Sequence, residues 1–144
     1  MTDTIKTGTL LFVGAAEGDE LSLGAILRDS DWRLHGTRNC QEALEFLDKN
    51  RISVVLSEAE LPDGNWRELL NRMAKRSASP SLIVSSRLAD DRLWAEVLNL
   101  GGFDVLMTPF ETEEVLRVTF GARRNWRSRA EGLQRLGQPG GGNE

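Results

Sequence analysis

The sequence predicts an α/β protein built on a doubly wound, open parallel sheet. Two observations lead there. Short runs of apolar, strand-like residues alternate five times with helical patterns, and the best of those runs are apolar throughout. A strand with no polar alternation is buried on both faces, which is what happens when helices cover both sides of a parallel sheet. Right-handed crossovers then leave the doubly wound arrangement as the natural one.

The elements follow in order. Thr9 to Val13 reads as the first strand, with four apolar residues from Leu10. Asp19 to Asp29 has helical spacing at Leu23, Ile26 and Leu27. Trp32 to Thr37 is a second, mixed strand. Cys40 to Lys49 is a helix with Ala43, Leu44 and Leu47 on one face and Asn39 placed as its cap. Ile52 to Leu56 is a continuous apolar run that meets Ser57-Glu58, and Leu61-Pro62-Asp63-Gly64 is turn chemistry. Trp66 to Lys75 spaces Leu69, Leu70 and Met73 for burial. Pro80 opens the strand Leu82 to Val84. Asp90 to Leu100 is a helix ended by Gly101-Gly102. Phe103 to Met107 is the fifth strand. After Pro109, Glu111 begins a last helix with acids in its first turn, where the helix dipole favours them.

Composition bounds the function. The chain has 144 residues, one domain's worth, with 40% hydrophobic and 28% charged residues and 4 Pro, so a packed core is expected. No run approaches the roughly 18–20 apolar residues of a membrane helix. The start, Met1 to Lys6, lacks a signal peptide's apolar stretch, so the cytoplasm is the expected compartment. A single cysteine, Cys40, excludes an internal disulfide framework, and a single histidine, His35, excludes multi-histidine metal centres. Residues 1–116 carry 12 Lys and Arg against 20 Asp and Glu, whereas residues 117–144 carry 6 Arg against 2 Glu. An acidic body repels nucleic acid, so any such contact would fall to the basic end.

Three stretches carry a resemblance. Asn39 to Leu47, Leu61-Pro62-Asp63-Gly64, and Gly101 to Phe110 stand in the order and spacing of the receiver domain of bacterial two-component response regulators. The chain resembles that family without evident gaps from about Leu10 to Val118. The resemblance implies a flavodoxin-like sheet of order 2-1-3-4-5, an order that the general rule for such sheets itself illustrates with a member of this family.

The resemblance also implies a chemistry. A working receiver moves a phosphoryl group to an aspartate at the end of the third strand. It uses Mg²⁺ held by an acidic pair after the first strand, a hydroxyl after the fourth and a lysine after the fifth. Here the acidic pair falls on Gly14 and Ala15, the acceptor on Glu58, the hydroxyl on Ser85 and the lysine on Thr108. An aromatic switch position in the fifth strand falls on Val105. Too few hard ligands remain for Mg²⁺, the phosphoryl charge has no fixed cation, and glutamate is one methylene too long. The expectation is a degenerate receiver that needs no cofactor, holds no metal, catalyses nothing and acts as a protein–protein interaction module. One alternative is a receiver still phosphorylated at Glu58 or Ser57. The other is a nucleic-acid-associated regulator acting through the arginine-rich last helix.

Each singled-out residue also has a plainer reading. Glu58 is either a solvated loop charge or a fixed stand-in for a phosphoaspartate. Glu17, Asp19 and Glu20 are expected to interact with their helix dipole rather than bind a cation. Neither His35 nor Cys40 is assigned a chemical role. Trp32 is expected to anchor the second strand, and Trp66 to pack over the degenerate pocket. Trp94 is placed on a face that the family uses for partners, although packing against Val97 and Leu98 accounts for it equally well. The last helix continues past the domain edge to about Leu136, unless Gly121 breaks it. There Trp126, Ala130 and Leu133 form an uncovered apolar stripe among arginines. These features predict a receiver-like domain over 8–122, an extension over 123–137 and a disordered tail over 138–144. They also predict a homodimer through Trp94, Val105, Val118, Trp126 and Leu133, and a signalling partner, either a kinase or an output protein.

Overall fold

In the computed structural model, the structure describes residues 8–136, with side chains through residue 132. Five parallel strands form the sheet in the order β2-β1-β3-β6-β7: β1 (Gly8–Val13), β2 (Trp32–Thr37), β3 (Val54–Glu58), β6 (Ser81–Ser86) and β7 (Asp104–Met107). This is the expected 2-1-3-4-5 order, with a hairpin of two-residue strands, β4 (Glu60–Leu61) and β5 (Gly64–Asn65), inserted where turn chemistry was read. The helices are α1 (Glu17–Leu27), α2 (Cys40–Lys49), α3 (Trp66–Met73), α4 (Asp91–Asn99) and α5 (Thr112–Leu136).

Strand alternation sorts the core into two layers. Leu10 and Phe12 of β1 join Val54, Leu56, Ile83 and Leu106 on the face covered by α1 and α5. Leu11 and Val13 join Val55, Leu82 and Val84 on the face covered by α2, α3 and α4. Leu10 sits between Leu34 of β2 and Val54 of β3, so β1 is an interior strand, buried from Leu10 to Val13.

Register decides where the loops begin. Pairing in β3 starts at Val54, opposite Ser81, and runs on to Glu58, opposite Ser85. The third strand therefore lies two residues later than the apolar run suggests, and Glu58 is its last ladder residue. Similarly, α1 begins and ends two residues earlier than its apolar spacing suggests. Asn39 caps α2 as expected, accepting from the Glu42 amide at 2.8 Å.

The last helix runs unbroken through Gly121. A Cβ there would lie 3.2 Å from the Phe103 ring, so the glycine permits close approach rather than breaking the helix. Two expectations for α5 need correction. Val118 is 3% exposed and packs in the core with Val115 and Ala122, because the sheet-facing stripe of the helix includes it. Trp126 is half-buried: its Nε1 donates to the Ala78 carbonyl at 3.0 Å, and Arg51 lies over its ring at 5.1 Å. The extension thus docks on the segment before β6 and does not present an open stripe at Trp126. The side chain of Leu133, and the whole of residues 138–144, lie outside the described residues.

Candidate functional site

The functional loops gather at the carboxyl ends of the strands, where an open α/β sheet binds its ligands. β3 delivers Glu58, β1 delivers Gly14 and Ala15, β6 delivers Ser85, and β7 leads to Thr108. The Glu58 side chain leans back over the end of β1. Its Oε1 accepts the Ala15 amide hydrogen at 3.1 Å. A Cβ on Gly14 would lie 2.4 Å from the Glu58 carboxyl carbon and 2.6 Å from Cγ. Glu58 therefore occupies space that any side chain at position 14 would need. The small residue at 14 and the long acid at 58 are one feature.

Glu58 Oε2 and Ser85 Oγ are both buried and have no hydrogen-bond partner among the described residues. The hydroxyl expected to meet a phosphoryl oxygen is thus not engaged by the glutamate. Burial, first, and then the neighbouring Asp19 carboxyl push the Glu58 carboxyl above its ordinary range; the amides of Ala15 and Ala16 oppose this. Thr108 is buried and uncharged, and its amide donates to the Ser86 carbonyl at 3.2 Å. Ser57 has no exposed surface, and its Oγ donates to the Glu58 carbonyl at 2.8 Å.

The positions that should supply two carboxylates carry a hydrogen and a methyl group, and an amide hydrogen points at the nearest carboxylate oxygen. Among the described residues, no group of three or more His, Cys, Asp or Glu side chains is placed to hold a metal ion.

The remaining singled-out residues fall elsewhere. Trp32 is buried and donates from Nε1 to Thr119 Oγ1 at 3.2 Å, as an anchor should. Trp66 is 1% exposed and belongs to the core under α3. His35 stacks on Phe46 at 3.9 Å. The Cys40 thiol is pushed up by burial and by the neighbouring Asp63 charge, away from thiolate reactivity. Asp63, which the sequence reading did not single out, clamps the start of α2. Its two oxygens accept the Cys40 and Gln41 amides at 2.8 and 3.0 Å. Burial raises its carboxyl, but those amides, its own amide and the Arg72 charge together hold it below the usual range.

A second surface lies between α4, β7 and α5. Trp94 and Met107, each about half exposed, and half-buried Val105 line a depression of about 380 Å³ with Asp90, Asp91 and Glu114 at its edge. Trp94 and Val105 are brought together as expected, and Met107 joins them. Val118 and Trp126 do not belong to this surface. Part of the arginine-rich region is also turned inward. Arg123 pairs with Asp31 at 2.9 Å and lies 4.3 Å over Trp32, while Arg129 donates to the Ser79 carbonyl and to Ser81 Oγ.

A five-stranded doubly wound sheet with its loops gathered at the strands' carboxyl ends is the flavodoxin-like architecture. The chain belongs to the response regulator receiver domain family, whose model matches residues 20–119. It is 24% identical over 110 residues to the sensory transduction protein LytT of Bacillus anthracis, covering 76% of this chain and 44% of that protein. The chain spans less than half the length of the curated relatives it matches. The signal receiver domain of an HD domain-containing protein from Pseudomonas fluorescens Pf-5 superposes with a TM-score of 0.75 at 26% identity, covering 84% of this chain and 98% of that one. The beryllofluoride-activated NtrC4 receiver domain dimer matches with a TM-score of 0.76 at 20% identity, covering 82% and 98%. Receiver domains are in general non-enzymatic modules of two-component signalling that interact with kinases and output proteins. Among the described residues, no helix is long and apolar enough to cross a membrane.

Proposed function

We propose that this chain is a degenerate receiver that signals by protein–protein contact without phosphorylation. The observation that carries the reading is the packing of Glu58 against Gly14. The carboxyl fills the place of the missing acidic pair, takes the Ala15 amide and leaves Ser85 unengaged. Phosphoryl transfer depends on positioning and on neutralising developing charge. Here the candidate acceptor is turned away from the hydroxyl, and Thr108 supplies no charge. The same geometry argues against Glu58 as a stand-in for a phosphoaspartate, because its carboxyl does not reach for Ser85. Ser57 is closed off by burial and by its own hydrogen bond.

Residues 8–122 form the receiver unit in this reading, and the helix beyond 122 is an extension docked on it through Trp126 and Arg129. The partner surface is the Trp94, Val105 and Met107 depression, taken by a kinase, an output protein or a second copy. With Arg123 and Arg129 spent on the body, the arginines offer less to nucleic acid than their number suggests.

Incubation with Mg²⁺ and a small phosphodonor should leave the mass unchanged. An adduct of about 80 Da on Glu58 or Ser57 would overturn the reading. Asp at 14, 15 and 58 with Lys at 108 should create a divalent-metal site that quenches or shifts tryptophan emission. Shortening residue 58 is what makes room for a side chain at 14.

A further inference from the structure

The amino end of the sheet, opposite Glu58, carries a cavity of about 710 Å³. It lies between the end of α2, the approach to β3, the α3–β6 loop and Ala130 of α5. Small-molecule sites span about 300–1,000 Å³, so its size suits one. Three cations line it, Lys49, Arg51 and Arg76, against one acid, Asp48. Arg76 is already engaged: it pairs with Asp48 at 2.6 Å, and its Nη1 donates to the Arg72 carbonyl at 3.0 Å. Lys49 and Arg51 are exposed and have no acidic partner among the described residues. Lys49 stands in the last turn of α2, where the helix dipole alone accounts for a cation. Arg51 lies past the cap, Asn50, and is held over the Trp126 ring at 5.1 Å, with its charge unmatched.

The loop adds neutral donors. Ala78 has a left-handed backbone, with φ of 53°, which is uncommon for a residue with a Cβ. The carbonyls of Ala78 and Ser79 are taken by Trp126 and Arg129. The amides of Ser77, Ala78 and Ser79 have no hydrogen-bond partner among the described residues. Successive free amides in a turn form a concavity that suits an anion, phosphate above all.

We propose that this cavity binds a phosphate-bearing small molecule, with Lys49 and Arg51 as its charged contacts and the amides of the α3–β6 loop as its neutral donors. A tetrahedral anion suits donors that arrive from separate elements, and an arginine fork meets two of its oxygens at once. The bound anion joins the end of α2, the α3–β6 loop and α5, so it also holds the extension against the body. The site stands at the far end of the sheet from Glu58, and the proposal is independent of whether the chain accepts a phosphoryl group there.

Titration calorimetry of the full chain with inorganic pyrophosphate, at fixed ionic strength, should show one site. Lys49→Ala and Arg51→Gln should each weaken binding at least about tenfold, the loss of one charge-assisted contact. Asp48→Asn removes the acid from the lining and should tighten binding severalfold. Arg87→Ala removes an exposed cation that follows β6 at the other end of the sheet, and should change nothing. Pyrophosphate should also slow proteolysis at the arginines of the extension. No binding up to millimolar pyrophosphate, equal weakening by Arg87→Ala and Lys49→Ala, or citrate binding as tightly as pyrophosphate would each overturn the proposal. Lys49 makes no hydrogen bond or ion pair through its side chain among the described residues, so its variant keeps the test decisive even if Arg51→Gln unseats Trp126.

Discussion

Gly14 and Glu58 show how one residue's chemistry is set by another's size. The glycine has no intrinsic role in a strand-end loop; it matters because a Cβ would sit 2.4 Å from the Glu58 carboxyl carbon. Gly14→Ala should force the glutamate out of its pocket and cost about 1–3 kcal/mol, the range for stranding a buried polar group. Glu58→Ala in the same chain should recover most of that loss, because the clash disappears with the side chain. Denaturant unfolding of the two single variants and the double variant gives the coupling directly, and additive effects would show that the contact carries no energy. The sequence exposed part of this site. Gly14, Ala15 and Thr108 are visibly the wrong residues for phosphoryl chemistry. That Glu58 fills the resulting gap was not legible, because composition does not reveal which way a flexible acid turns. Asp63 was missed for a related reason: it caps α2 from 23 residues away in sequence at Cys40, beyond the reach of a local capping rule.

At the scale of elements, the strands and α2 were readable because each is locally consistent. Leu10 to Val13 is apolar throughout and buried, and Asn39 caps the helix it precedes. The last helix was legible in length but not in phase. Val115, Leu116, Val118, Phe120 and Ala122 offer apolar residues on more than one face, so periodicity alone does not say which of them meets the sheet. The structure buries Val115, Val118 and Ala122 and leaves Phe120 exposed. The stripe beyond them gave a wrong expectation at Trp126 because the backbone that covers it, at Ala78, lies 48 residues earlier in the chain. The docking has a testable consequence. Trp126→Ala removes the Ala78 hydrogen bond and the ring under Arg51, and Arg129→Ala removes the bonds to Ser79 and Ser81. Each should destabilise by about 1–3 kcal/mol and speed proteolysis after the arginines of the extension. Unchanged cleavage rates in both variants would mean that these contacts do not hold α5 to the body.

Across the whole molecule, helix polarity organises charge. The helices return antiparallel to the strands, so their first turns collect at the carboxyl end of the sheet. There stand Glu17, Asp19, Glu20, Glu42, Glu68, Asp91, Glu113 and Glu114, while Lys49 and Arg72 close α2 and α3 at the other end. Acids at helix starts and bases at helix ends each complement the dipole, and the parallel architecture adds these local preferences into a domain with an acidic end. The Trp94, Val105 and Met107 depression opens on that end and is rimmed by Asp90, Asp91 and Glu114. A self-complementary patch most often closes as a two-fold dimer, in which each rim would face its own copy. Like charges would then oppose association, and added salt would relieve them within a Debye length of about 10 Å at 0.1 M. A dimer through this surface should therefore tighten as salt rises, the reverse of contact with a basic partner. Sedimentation at micromolar concentration should show a dimer that strengthens from low to moderate salt. Trp94→Ala should weaken it at least about tenfold, as loss of an aromatic anchor does, and Trp126→Ala should leave it unchanged. A monomer under all these conditions would assign the depression to another protein. A dimer weakened by Trp126→Ala but not by Trp94→Ala would move the interface to the extension of α5.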